Sequence, residues 1–377
     1  MKKSIRGCGS KRRQGFTLVE LLVATVVLLM IMAILLSLTT QAGNLWRTTT
    51  TKLEQFRGAR DAFEDMTRRL SQATLNTYWD YYPNATTPTS YVRQSELRFI
   101  SGNTVTLAGT PAAPRQWPTH GVFFQAPLGF SQDPTTYGLD NLLNTWGYFI
   151  EFSSDAAQRP AAVPTAIVPL RYRYRLCELM QPTNSLSIYS YTSGINASTG
   201  VLNTVGYTGK DWFSDAMNLS DTSTTPVRPV HVLAENIIAL IILPKLSPND
   251  EQSLLAAGTI PSAPLGTSLA PNYTYDSTVA NSNAALDTKN QLPPLIQVTM
   301  VAINEASAIR LAQGQGTTMP TFGLSTAVFN NLFTNATQMA ADLATLEQAL
   351  EKEHIVYRVF STNLAIKGAK WSRDETN

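Results

Sequence analysis

The chain has 377 residues, enough for one large domain or two small ones, and only 15% are charged against a usual ~25%. Its net charge of +2 is uneven: Lys2, Lys3, Arg6, Lys11, Arg12 and Arg13 precede Gly15 with no acid among them, which leaves 23 basic against 27 acidic residues in the rest. That balance excludes a nucleic-acid reader, which needs a basic patch in its body, and the abundant Ser, Thr, Asn, Gln and Pro suit a surface outside the cytoplasm.

The first element is the apolar run Phe16 to Leu38 in "KRRQGFTLVELLVATVVLLMIMAILLSL", whose only polar residues are Thr17, Glu20, Thr25 and Ser37. At 1.5 Å per residue it would reach ~35 Å, enough to cross a bilayer. The basic residues before it stay cytoplasmic by the positive-inside rule, so the chain beyond is exported. A secretory signal peptide is one reading, with Thr40 and Ala42 as the small residues before a cut after Ala42, although the apolar run exceeds the usual 7–15 residues. A plain membrane anchor is a second. Neither gives Glu20 a role, and a carboxylate within such a span costs ~2–3 kcal/mol at depth.

A third reading accounts for Glu20. "QGFTLVE" resembles the leader-peptide site of type IV pilins and type II secretion pseudopilins: a short basic leader, Gly, an apolar or aromatic residue, Thr, two apolar residues, Glu, then an apolar helix. The resemblance implies cleavage between Gly15 and Phe16 by a membrane prepilin peptidase, which also methylates the new amino terminus on Phe16. It further implies that Glu20, with Thr17 beside it, meets the terminal amine of a neighbouring subunit. Opposite charges attract strongly at low dielectric, while either alone is costly there. The implied partners are the peptidase, other pilin or pseudopilin subunits, the bacterial inner membrane, and a secreted cargo or surface ligand.

No proline occurs before Pro83, so the helix is expected to continue past the membrane. Phe56, Phe63 and Leu70 recur every seven residues, with Ala59, Met66 and Ala73 three positions after each. This is an amphipathic stripe expected to pack on a globular domain, or to form a free coiled-coil stalk. One helix from Phe16 to about Asn76 would be ~90 Å long, with Gly43 and Gly58 as weak points. "YWDYYPNATTP", residues 78–88, is expected to end it in a Pro-containing turn. The organisation expected is a leader at 1–15, a membrane and assembly helix at 16–38, its amphipathic continuation at 39–82 and a β-rich domain at 83–377.

Beyond residue 88, short apolar runs between turn residues predict strands at 97–100, 104–108, 121–125 and 146–152. In "PLRYRYRLCEL" (169–179), Leu170, Tyr172, Tyr174 and Leu176 alternate with Arg171, Arg173, Arg175 and Cys177, which predicts one buried face and one solvated or salt-bridged face. Segments 231–246, 294–303 and 354–362 read as further strands. Leu343, Leu346 and Leu350 predict a core-facing helix before the last of them. Long polar segments at 131–145, 153–166, 192–229 and 247–290 are expected to be exposed decorations, partner-binding surfaces or insertions without a role. The fold class expected is α+β: a long N-terminal helix packed on a β-rich, pilin-like domain with long loops. The order of elements resembles the J-type minor pseudopilins, and the N-terminal region is also similar to the Verru_Chthon cassette protein C family.

Catalytic signals are weak. His120, His231 and His354 form no metal-ligand spacing, and nucleotide-binding, hydrolase and metalloprotease motifs are missing from the sequence. Asp211, Asp215 and Asp221 could supply oxygens to calcium, but their spacing is not that of an EF-hand. Cys177, with Arg175 two residues before it, could have a lowered pKa, although a satisfied strand residue is the stronger reading. No catalytic, cofactor or metal residue is assigned. A minor pilin-like or pseudopilin subunit is expected, with a membrane-anchored adhesin or binding protein on the same export route as the alternative.

Overall fold

The computed structural model describes residues 18–54, 56–81, 91–160, 162–186, 188, 211–221, 227–261, 265–283, 285–313 and 316–369. They form two compact units, divided after Gln55. The first contains helix α1 (Leu18–Glu54). The second, from Phe56 onward, contains α2 (Arg57–Leu70), β1 (Tyr78–Tyr81), β2 (Tyr91–Gln94), β3 (Ile100–Asn103), α3 (Thr104–Ala108), β4 (His120–Pro127), β5 (Leu143–Ser154) and β6 (Tyr172–Gln181). There follow α4 (Trp212–Asn218), β7 (Val230–Glu235), β8 (Ile237–Lys245), α5 (Pro248–Ala256), β9 (Tyr275–Asp276), β10 (Leu295–Ile303), α6 (Glu305–Ala312), α7 (Thr326–Asn331), α8 (Met339–Lys352) and β11 (Tyr357–Ala365).

The expected single helix is two. Phe56, with φ −110° and ψ 7°, stands outside helical geometry just before α2, and its side chain is buried in the second unit. Gly58 lies within α2, so burial of Phe56 accompanies the break rather than a glycine kink. The amphipathic stripe is as expected. Phe56, Ala59, Phe63, Met66, Leu70 and Ala73 are all buried in one apolar cluster with β4, β8 and β10. Ser71 caps α2 and its carbonyl accepts the Lys367 N–H at 2.9 Å, so a turn near the end of the chain satisfies an orphan helix carbonyl.

Among the described residues, three antiparallel sheets build the second unit: a hairpin of β1 and β2, a sheet in the order β11-β10-β8, and one in the order β7-β6-β5-β4-β3-β9. The six-stranded sheet is buried on both faces. Val122, Phe124, Tyr148, Ile150, Tyr174 and Leu176 face the core shared with α2 and the three-stranded sheet. Phe123, Phe149, Cys177 and Leu179 face a second core closed by Trp117 and by Trp212, Phe213 and Met217 of α4. The single buried face expected for β6 is therefore corrected to two.

Two further sequence expectations change. Residues 104–108 form a helical turn, because the Asn103 side chain accepts the N–H groups of Val105 and Thr106, and Gly109, at φ 83°, ends the turn. Segment 231–246 is two strands in different sheets. Asn236 separates them in the left-handed region at φ 64°, where asparagine is tolerated. The polar segment 247–290 contributes Leu254, Leu269, Tyr273, Tyr275 and Leu286 to the main core, so it belongs to the packed fold.

Gly147 on β5 lies opposite Phe123, and a Cβ built there would stand 2.3 Å from that ring's Cδ1. Phe123 cannot retreat freely, since it stacks on Phe213 at 4.2 Å. Gly147→Ala is therefore expected to cost about 1–3 kcal/mol of unfolding free energy, and Leu70→Ala, which empties a fully buried site on α2, about 2–5 kcal/mol. Denaturant titration of the full chain measures both.

Candidate processing and assembly site

Of the residues that the sequence singles out for processing and assembly, Gly15, Phe16 and Thr17 lie outside the described residues. Glu20 lies in the first turn of α1, with its side chain outside the description. From Leu18 the chain is helical, and Leu21–Thr39 is long and apolar enough to cross a membrane. Its large apolar residues are exposed on every side, and none of that span is buried by the rest of the chain. The Thr25 hydroxyl donates to Leu22 O at 2.8 Å and the Thr39 hydroxyl to Leu35 O at 2.7 Å. These hydroxyls are thus satisfied within the helix, as an apolar surrounding requires.

In the second unit, α2 carries two kinds of charge. Arg60 and Glu64 pair on the exposed side at 2.8 Å, a contact of little energetic weight. Arg69 points inward instead: it donates to Glu178 Oε2 at 2.6 Å, pairs with Asp65 at 2.8 Å, and lies over the Trp146 ring at 4.6 Å. Burial opposes the Arg69 charge, yet Tyr148, Glu178 and Asp65 outweigh it and raise its pKa. This contact clamps the helix to the six-stranded sheet.

The three arginines in and just before β6 divide as follows. Arg171 is exposed, whereas Arg173 and Arg175 are buried among carboxylates and carbonyls. Arg173 donates to Glu305 Oε2 at 2.5 Å, and Arg175 to Ser153 O and Ser154 O at 2.8 Å and to Glu235 Oε1 at 3.3 Å. Asn236 completes the group by donating to Glu305 at 2.8 Å, so the residue that switches sheets is fastened by the same charges.

On the same face lies a pair that sequence reading missed. Glu151 accepts from Arg228 Nη2 at 2.5 Å and from Trp117 Nε1 at 3.1 Å, and Arg228 also meets Asp221 at 2.8 Å. Glu151 and Arg228 are 77 residues apart, and no local pattern joins them. Burial pushes the Glu151 carboxyl up, but Arg228 and the hydrogen bonds of Trp117 and Ser153 carry it below its ordinary value. A cavity of about 430 Å³ adjoins the pair, with Ser153, Cys177 and His231 among its lining residues.

The weaker sequence candidates do not converge. Asp211 pairs with Arg98 and Asp221 with Arg228, which directs two of the three aspartates to cations. His120 is buried, while His231 on β7 and His354 in the turn between α8 and β11 are exposed. Among the described residues, no group of three or more His, Cys, Asp or Glu side chains is placed to hold a metal ion. Cys177 is buried on β6, and desolvation pushes its thiol well above the ordinary range, which fits the stronger reading of a strand residue and not a lowered pKa.

Arg228→Met would leave Glu151 buried and uncompensated, and a loss of about 3–5 kcal/mol is expected by chemical denaturation. Because the folded pKa of Glu151 is depressed, its stabilising share is present above the unfolded carboxyl value of ~4.3 and fades as pH falls below it. The variant's deficit should therefore shrink in acid.

Residues 10–36 match the model of the prokaryotic N-terminal methylation motif. Among solved structures, a type IV-like pilin from Thermus thermophilus is similar at 8% identity over 83% of this chain and 97% of that one, with a TM-score of 0.24. So distant a likeness carries no argument about function. No curated protein matches the chain. The match at residues 10–36 covers Gly15, Phe16, Thr17 and Glu20 together, and it ends inside the exposed apolar helix: this chain carries a prokaryotic N-terminal methylation motif.

Proposed function

We propose that the chain is a pilin-like or pseudopilin structural subunit, of the minor rather than the main repeating kind. In this reading a prepilin peptidase cuts between Gly15 and Phe16 and methylates Phe16. The helix then holds the chain in the bacterial inner membrane, with the second unit on the periplasmic or outer side, until it is drawn into a filament beside other subunits. The observation that carries the reading is the methylation motif running into an apolar helix that the chain itself leaves uncovered. A helix exposed on all sides needs lipid or neighbouring helices, and a filament core offers the second. Glu20 supplies the register, since its charge is tolerable in that setting when a neighbour brings a cation. The role is structural, and the filament is of the type IV pilus or type II secretion kind.

One observation favours the alternative, a membrane-anchored adhesin or binding protein. The β1–β2 hairpin exposes Trp79 at 50% and Tyr91 at 62%, an unusual aromatic display for a surface.

Mass spectrometry of the mature chain is expected to give a first residue of Phe16 bearing one added methyl group. A chain beginning at Gly43 would show a discarded signal peptide and overturn the proposal. Glu20→Ala should leave cleavage intact and abolish recovery of the chain in sheared filaments. Unchanged recovery would favour the adhesin.

A further inference from the structure

We propose that His120 makes the junction of the two large sheets an acid-labile joint, in which protonation of its imidazole releases β8 from β4 while the six-stranded sheet stays paired. β8 hydrogen-bonds along one edge to β10, and its other edge is fastened by the side chains of Thr119, just before β4, and His120, its first residue. Thr119 Oγ1 accepts the Leu240 N–H and His120 Nδ1 accepts the Ile242 N–H, both at 3.2 Å. On the far side of the ring, Nε2 donates to Phe333 O at 2.9 Å. One nitrogen accepting and the other donating defines a single neutral tautomer. A proton on Nδ1 would set two N–H groups against each other and strip Ile242 of its acceptor.

The ring's surroundings offer a cation little. Tyr273 packs against it at a tilt of 47°, with centroids 4.5 Å apart. Asp342 of α8 is the carboxylate of this neighbourhood, and it is spent on the Phe333 N–H at 2.9 Å, one peptide removed from the imidazole. No titratable side chain of β8 touches the ring in the described contacts. Burial pushes His120 down to about 4, and the hydrogen bond to Phe333 only partly opposes it. An exposed histidine titrates near ~6.5. The opened form therefore binds a proton that the closed form excludes. Closure is fully favoured above ~6.5 and loses up to about tenfold per pH unit as the pH falls toward 4.

Hydrogen exchange on the detergent-solubilised full chain, corrected for intrinsic exchange rates, tests this between pH 7 and 4.5. Protection of the Leu240 and Ile242 amides should fall by close to tenfold per pH unit below ~6, with the Ile150 amide in β5 unchanged. His120→Asn, which keeps a neutral acceptor, should remove the slope. The proposal is overturned by a flat profile in the wild type, by the same slope in the variant, or by equal loss in both sheets. Should the variant not fold, NMR titration of the wild-type imidazole decides: titration near 4 alongside the β8 loss supports the joint, and titration near ~6.5 overturns it.

Discussion

The second unit depends on how one exposed strand edge is closed. Among the described residues, β8 has a strand partner on one side only, and an unpaired edge in a protein interior would leave backbone donors without acceptors. Along the outward row the donors are Leu240 and Ile242, and Pro244 follows with no N–H to satisfy. Thr119 and His120 serve the first two. Thr119 reaches its place at φ 60°, a conformation that costs a β-branched residue energy and persists only where the surroundings enforce it. The three-stranded sheet thus joins the six-stranded one through side chains instead of a ladder. With both sheets fixed, α2 finds a continuous apolar surface for Phe63, Met66 and Leu70.

A second constraint follows from sandwiching the six-stranded sheet between two cores. A strand with one wet face can carry arginines freely, but β6 and β5 have none to spare. Their charged residues must meet partners inside the protein, and the long-range pairs Arg173–Glu305, Arg69–Glu178 and Arg228–Glu151 are the outcome. Each joins the sheet to a different covering segment: α6, α2 and the stretch before β7. Removing the partner of a sheet residue leaves Arg173, Glu178 or Glu151 as a buried charge, so the pairs specify which segments cover the sheet even where their net contribution to stability is small.

What was legible in the sequence had local causes. The seven-residue recurrence of Phe56, Phe63 and Leu70 marked the buried stripe of α2, and Leu346 and Leu350 marked the inner face of α8, because helical period is written in neighbouring residues. The strands at 121–125, 146–152 and 294–303 were likewise visible as apolar runs. The failures were tertiary. Nothing in 104–108 distinguishes a strand from a helical turn until Asn103 commits its side chain to the backbone. Nothing in 231–246 shows a change of sheet except a single asparagine. The alternation in β6 was real, yet it could not tell a wet face from a second core, since that core is built by α4, more than thirty residues onward. The candidate site divides the same way: its motif is contiguous and therefore readable, while the Glu151–Arg228 pair is not.

The N-terminal helix obeys the opposite rule from the rest of the chain. Among the described residues of the second unit, most large apolar side chains are covered by residues of the same molecule. From Leu18 to Leu38 none is, and the hydroxyls of Thr25 and Thr39 turn back onto their own helix rather than reaching outward. Such a surface carries no directional polar contact by which a neighbour could recognise its position along the axis. Apolar packing alone is permissive to sliding by a turn, because one row of Leu and Val resembles the next. A single ionisable residue near the start of the span removes that degeneracy, since only one alignment of two chains brings its charge to a cation, and every other alignment leaves it desolvated and unpaired. On the proposed assembly, Glu20 would then set register while the surrounding apolar residues supply adhesion, and the methylated terminus on Phe16, still a cation, would be the group it meets.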